Sequence, residues 1–430
     1  MTALAGRLWA IAMMTLLEAS RRKVFVILIL FAVAILSSTL FFPAVDMDGR
    51  LRLIEIWSLR AAALFTAIIG LFLAGFSLPT DFEQKRIYLL VTKPVSKAVL
   101  FLGRFLGYVF LLAIFVAVMG AITILFLRTV GLFSGPEFPA LVAYPRFPAT
   151  AFDHRRGVEI TGSKEKYQID AELGRALVWR FKGLHRSAFP EPEIRARMLL
   201  SLGARNDPFR AAGTVKIRVV NPAGENHPLS LSLNTNEEGD FAIPSRLIGE
   251  AGAFDVEISA GDADGIISGA ESGVLLYGKS MSFEAAFARG MALVLLQSII
   301  VLSLTLMAST LLSAPLSILL GVFLYVVGSI HGYVQEGARD IDRSLGELRP
   351  MGKQRTPENI PVPILKISSA TSQAVLAAVP DFADFDFSTW LLKDHAVSWR
   401  ELADAARKAL WPVLALLLLG MLVMTFKDFG

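Results

Sequence analysis

Six apolar runs constrain this chain more than any other feature. They fall at 24–42, 57–78, 105–127, 291–312, 316–333 and 411–426. An apolar stretch of about 20 residues satisfies its backbone polar groups in lipid only as a helix. The sequence therefore predicts a membrane α-helical protein with six transmembrane helices. A hydrophobic share of 54% with only 19% charged residues excludes an ordinary soluble globular chain.

Charge orients the runs. Arg21-Arg22-Lys23 precedes the first run, so that cluster belongs in the cytoplasm and the first span runs outward. Alternation then puts Asp46 to Glu55 outside, 79–104 inside and 129–282 outside. Ser313-Ala314-Pro315 becomes a tight inner turn, 335–408 lies outside, and both termini are cytoplasmic. Arg50, Arg52 and Arg128 are outer exceptions, and Arg60 snorkels from the second span as an interface anchor. The expected location is the cell inner (cytoplasmic) membrane, with a multi-pass chain in the lipid bilayer. A cleaved signal peptide is not expected, since no small-x-small site follows Phe41-Phe42-Pro43. Residues 4–20 read as an amphipathic helix in the interface, charged only at Arg7 and Glu18, with Trp9 at headgroup depth.

Residues 129–282 change character. Period-two runs such as Ala176-Leu-Val-Trp-Arg-Phe181, Thr214-Val-Lys-Ile-Arg-Val-Val220 and Phe254-Asp-Val-Glu-Ile-Ser259 recur between turn signals. Further runs begin at Gly157, Arg197, Leu229, Asp240 and Gly273, with turns at Asn221-Pro-Ala-Gly224, Glu238-Gly239 and Gly261-Asp-Ala-Asp-Gly265. This pattern predicts an inserted extracytoplasmic β-sandwich-like domain. The expected division is 1–128, 129–282, 283–334 with spans four and five, 335–408, and 409–430 with span six. The 335–408 loop reads as a charged part (335–363), an apolar helix (365–379) and an amphipathic helix (398–408).

The net charge of +4 is explained by topology and argues against nucleic acid as a partner. With no cysteine, disulfides and thiolate chemistry are excluded. Gly273-Val-Leu-Leu-Tyr-Gly278-Lys279-Ser280 fits the P-loop string, but its four inner residues favour a strand, so a strand and turn are expected there. Asp262-Ala-Asp264-Gly265 has its glycine too early for a helix-loop-helix calcium site and reads as a turn. The histidines 154, 185, 227, 331 and 395 lack metal-ligand spacing. Gln297, Ser303 and Thr305 in the fourth run read as helix glue. No catalytic, cofactor or metal residues are expected.

The stretch Asp81 to Gly107 is basic and broken at Thr92-Lys93-Pro94, where the proline disfavours helix at Lys93. With Leu17-Glu18-Ala-Ser-Arg21-Arg22-Lys23 and Pro380-Asp381-Phe382, it resembles the transmembrane permease subunits of ABC transporters of the type-two export class. The match runs through Asp81-Phe-Glu83, paired leucines, Pro94-Val95-Ser96-Lys97 and Gly103-Arg104. It covers both membrane portions and omits the β-rich insert. It departs from the family at Lys85-Arg86-Ile87, where a glycine-threonine step is usual.

The resemblance implies a permease that is not itself an enzyme and binds no cofactor. ATP and magnesium would sit on separate cytoplasmic ABC ATPase subunits, and a second permease chain would complete a homo- or heterodimer. It assigns ATPase coupling to Glu18, Arg21, Asp81, Glu83, Arg86, Thr92, Lys93, Pro94, Val95, Ser96 and Lys97. A second cytoplasmic contact would involve Ser309, Thr310, Ser313 and Pro315. Apolar spans with few charges suit a lipid-like or amphiphilic cargo better than an ion. The competing reading is a membrane-anchored scaffold whose β-rich domain binds an envelope protein without transport.

Overall fold

The computed structural model describes residues 2–21, 26–41, 47–83, 96–134, 142–153, 158–159, 166–170, 176–204, 212–249, 251–262, 265–331, 381–385 and 395–426. They divide into a helical unit and a β unit. The first takes Met1–Leu141, Phe283–Lys393 and Trp399–Gly430; the second takes Val142–Ser282 and Asp394–Ser398.

The helical unit contains α1 (Thr2–Arg21), α2 (Val26–Phe41), α3 (Met47–Glu83) and α4 (Lys97–Ser134). After the β unit come α5 (Phe283–Ala308), α6 (Ala314–Ser329) and α7 (Trp399–Phe426). Four of these, α3, α4, α5 and α7, are long and apolar enough to cross a membrane. The apolar helices α2 and α6 have 16 residues each. At 1.5 Å per residue they reach about 24 Å, short of the ~30 Å hydrocarbon core.

Two helices differ from the sequence expectation. The polar stretch taken for an outer loop, Asp46 to Glu55, is helical from Met47 onward. Its Leu, Arg and Glu residues are good helix formers, and propensity outweighs polarity there. The amphipathic segment at 398–408 and the sixth span form one helix, α7, which continues through Pro412. A transmembrane helix tolerates the lost bond because neighbouring groups can satisfy the freed carbonyl.

Small residues set the packing of α6 on α3. A Cβ on Gly75 would meet the Ile318 side chain, and one on Gly321 would meet Leu71 and Thr305. The buried hydroxyls of Ser303 and Thr305 are satisfied within their own helix. Ser303 donates to the Ile300 carbonyl at 2.8 Å and Thr305 to Val301 at 2.9 Å.

Among the described residues three sheets build the β unit. The first runs β10 (Glu238–Pro244), β6 (Glu193–Leu199), β13 (Val274–Tyr277), β1 (Val142–Pro148), β14 (Met281–Ser282), and β15 (His395–Ala396) pairs with β1 in parallel. The second runs β2 (Ala151–Asp153), β5 (Leu177–Phe181), β11 (Phe254–Ala260), β8 (Ala212–Val220), β9 (Asn226–Asn234). The third runs β3 (Val158–Glu159), β4 (Lys166–Asp170), β12 (Gly265–Ala270), β7 (Ser201–Ala204). One buried cluster draws on all three sheets, through Trp179 and Val256, Ile194 and Leu276, and Ile169 and Ile267. Alternation along β5 is strict, with Leu177, Trp179 and Phe181 inside and Val178 and Arg180 outside.

The run expected from Arg197 to Leu202 is two strands, broken at Leu200, whose carbonyl accepts the Asn236 amide at 2.9 Å. The turn expected at Glu238-Gly239 lies earlier, where Asn236 takes a positive φ of 59°. Its amide-bearing side chain makes that conformation accessible. On β6, Arg197 clasps Asp240 at 2.6 and 3.1 Å and Glu238 at 3.0 Å. The Asp240 hydrogen bond holds the guanidinium pKa above its ordinary value.

The Asn221-Pro-Ala-Gly224 signal closes the β8–β9 hairpin. The Asn221 amide bonds the Glu225 carbonyl at 3.0 Å, and the Gly224 amide bonds the Asn221 carbonyl at 3.0 Å. Gly224 sits at φ 85°, so the turn is a three-residue loop with a glycine bulge. Gly224→Val is expected to destabilise the β unit by roughly 1–2 kcal/mol, the cost of a left-handed L-residue. A denaturant midpoint unchanged from the parent chain would refute this.

Candidate functional site

The sequence singles out the connection between α3 and α4. Asp81 and Glu83 fall in the last turn of α3, and Arg21 is the last residue of α1. Glu18 is exposed on α1. Arg86, Thr92, Lys93, Pro94 and Val95 lie outside the described residues. Ser96 initiates α4: its side-chain oxygen accepts the Val99 amide at 3.3 Å and its carbonyl accepts the Leu100 amide at 3.2 Å. That is N-cap chemistry. Lys97 is the first residue of α4.

Three helices converge on the first turns of α4. From α3, Ser77 receives two α4 side chains one turn apart. Arg104 donates to the Ser77 side-chain oxygen at 2.8 Å and to its carbonyl at 3.3 Å. The Tyr108 hydroxyl donates to the same oxygen at 2.9 Å. Arg104 is only 7% exposed, so its charge is held inside the helical unit. From α1, Ala12, Thr15 and Ala19 are buried while Trp9, Met14 and Leu17 are exposed. A Cβ on Gly103 would lie 2.6 Å from Ile11 Cγ2, and one on Gly107 would lie 2.6 Å from the Ala12 carbonyl. Gly103 and Gly107 thus form a glycine-x-x-x-glycine contact, which brings helix backbones together. Trp9 meets Phe110 edge-on at 5.6 Å. From α7, Gly420 faces the ring of the fully buried Phe101.

One face of α1 is packed on α4, and only the opposite face is open. The sequence carried this signal in Gly103-Arg-Phe-Leu-Gly107, where the glycine spacing marks a helix contact.

The α5–α6 turn differs in detail from the expected second contact. Ser309 and Thr310 are buried and donate to the Leu306 and Met307 carbonyls, each at 2.7 Å. Ser313 and Pro315 are exposed, and Leu311 and Leu316 join them. Any partner at this turn meets those four side chains instead of the two buried hydroxyls.

The other motifs take ordinary structural places. Val274–Tyr277, inside the P-loop string, is β13, and the Gly278 amide bonds the Pro145 carbonyl at 2.9 Å. The Asp262 carboxylate accepts the Thr214 amide at 3.2 Å. Among the described residues no group of three or more acidic or histidine side chains could hold a metal ion.

The chain is thus a membrane-type helical protein with a separate β unit. No protein-family model, curated protein or solved structure matches it.

Proposed function

We propose that this chain is the permease subunit of an ATP-driven ABC transporter. In this reading α2 and α6 also cross the membrane, giving six spans with both termini cytoplasmic and the β unit outside the inner membrane. Short spans of this kind are accommodated by local bilayer thinning. A separate cytoplasmic ATPase docks on the α3–α4 connection and on the α5–α6 turn, and a second permease chain completes the assembly. ATP can shift the helices only by its differential affinity for two states of the complex.

The observation that carries the reading is the clustering of α1, α3 and α7 on the first turns of α4. A push on residues 84–95 enters α4 directly and reaches α3 through Ser77–Arg104, α1 through Gly103 and Gly107, and α7 through Phe101. The motif residues Ser96 and Lys97 stand at the head of that helix.

A detergent pull-down of the tagged full chain is expected to retain an ATPase subunit. Combining Glu83→Ala, Lys93→Ala and Pro94→Ala is expected to release it or to abolish its stimulated ATP hydrolysis. If complex and hydrolysis both survive the triple change, the proposal fails.

A further inference from the structure

We propose that the free edge of β9 is a docking strand for an extended, acidic polypeptide segment, added to the five-stranded sheet. The hairpin fixes which groups of β9 face outward. Asn221 and Glu225 form a hydrogen-bonded pair across the loop. Antiparallel pairs alternate, so 219/227, 217/229 and 215/231 are hydrogen-bonded as well, and 218/228, 216/230 and 214/232 are not. The backbone groups of Ser230 and Ser232 therefore point away from β8, while the Asn234 carbonyl accepts the Glu237 amide at 3.3 Å.

Among the described residues β9 has no second strand partner. It is nine residues long and carries no lysine, arginine or carboxylate. An edge of this length is usually blunted by charge, bulge or proline. Here Pro228 removes one outward donor near its start, and the stretch from Leu229 to Asn234 keeps its own.

Charge names the occupant. Lys216 pairs with Ser230 and Arg218 with Pro228, in the closely spaced class of pairs. Both cations are exposed on the outer face of the sheet. No ion pair is formed by Lys216 among the described residues, and Arg218 reaches Glu257 only at 3.7 Å. Ser230 and Ser232 are small, so nothing bulky on β9 separates these cations from a strand laid beside it. An added strand lies about 10 Å from β8, two strand spacings away, within reach of a long cation meeting a long carboxylate. A cavity of about 710 Å³ opens on this same face, where Asp153, Asp255 and Glu257 stand on β2 and β11, Arg180 on β5, and the two cations nearest β9, Lys216 and Arg218, on β8. Strand addition draws affinity from the backbone and selectivity from alternate side chains. The acidic requirement falls on every second residue of the incoming segment. This inference concerns the β unit alone and stands whether or not an ATPase binds the helical unit.

The test uses the full chain in lipid nanodiscs and a fluorescein-labelled peptide of alternating glutamate and valine, nine residues long. Saturable binding is expected by fluorescence anisotropy. It should weaken at least tenfold with Lys216→Glu/Arg218→Glu, and with a peptide N-methylated at alternate backbone positions. Hydrogen exchange of β8 and β9 checks that the double variant remains folded. An alternating lysine–valine peptide should not compete. Equal binding of the N-methylated or the lysine peptide overturns the proposal, as does no saturable binding. Self-association of nanodiscs through β9, lost on Ser230→Pro, would assign the edge to a second copy of this chain and also overturn it.

Discussion

Trp179→Ala is expected to unfold the β unit while leaving the helical unit intact. Trp179 is fully buried at the middle of β5, and its ring packs on Phe152 at 4.9 Å between centroids. Its indole N–H donates to the Ala270 carbonyl at 3.0 Å and the Glu271 carbonyl at 3.1 Å. Those carbonyls lie where β12 passes towards β13, so one side chain ties the second sheet to the third and to the strand entering the first. Truncating a large buried aromatic costs about 3–5 kcal/mol. Losing the donor adds to that, since two carbonyls lose their partner inside the unit. Such a sum is comparable to the whole stability of a small domain. Hydrogen exchange on the full chain resolves the outcome by segment. Protection should collapse in β5, β11 and β12 and persist in α3, α4 and α5. Trp179→Phe keeps most of the volume and removes the donor, so it should fall between. Parental protection of β12 in the alanine variant would show that Trp179 is not the tie.

The glycines around Trp179 explain why part of this unit was hard to read. β12 is Gly265-Ile-Ile-Ser-Gly-Ala270, which has no period-two run and is not among the expected strands. A Cβ on Gly269 would sit 3.0 Å from Leu177 and 3.1 Å from Trp179, so the strand needs glycine to pass the indole. A close approach in three dimensions leaves only a missing side chain in the sequence. β15 was harder still. Two residues, His395 and Ala396, pair in parallel with Tyr144 and Pro145, and no local pattern encodes a partner 251 positions away. Strands with strict alternation and a buried face, β5, β8 and β11, were legible because burial repeats with the pleat. At the candidate site Ser96 and Lys97 were readable as motif residues, and the cap that Ser96 makes was not. The Arg104–Ser77–Tyr108 bonds were not, because they need α3 and α4 to be antiparallel neighbours in register.

Gly107→Val is expected to separate α1 from α4, and Gly6→Ala is expected not to. The two glycines lie in helices that touch, yet their surroundings differ. At Gly107 an added Cβ would stand 2.6 Å from the Ala12 carbonyl oxygen and 2.7 Å from Thr15 Cβ. The first of these is backbone, so relief requires α1 itself to move. At Gly6 nothing lies within 4 Å. There alanine only improves helix propensity, by up to about 1 kcal/mol. Overpacking by a branched side chain costs typically 1–3 kcal/mol when neighbours can adjust, and more when the obstacle is backbone. Helices joined at a glycine-x-x-x-glycine contact associate through close packing, so the lost approach is not recovered elsewhere. The readout is double electron–electron resonance between spin labels at Met14 and Ile114, two exposed positions on the two helices. Gly107→Val should lengthen and broaden that distance, and Gly6→Ala should leave it unchanged. With the ATPase bound, the proposed coupling adds a second consequence. A displaced α1 should lower transport-stimulated hydrolysis even though no residue of the docking loop has changed. An unaltered spin-label distance in the valine variant would mean that the glycine contact does not hold α1. A lengthened distance with full stimulated hydrolysis would keep the packing and remove α1 from the coupling route.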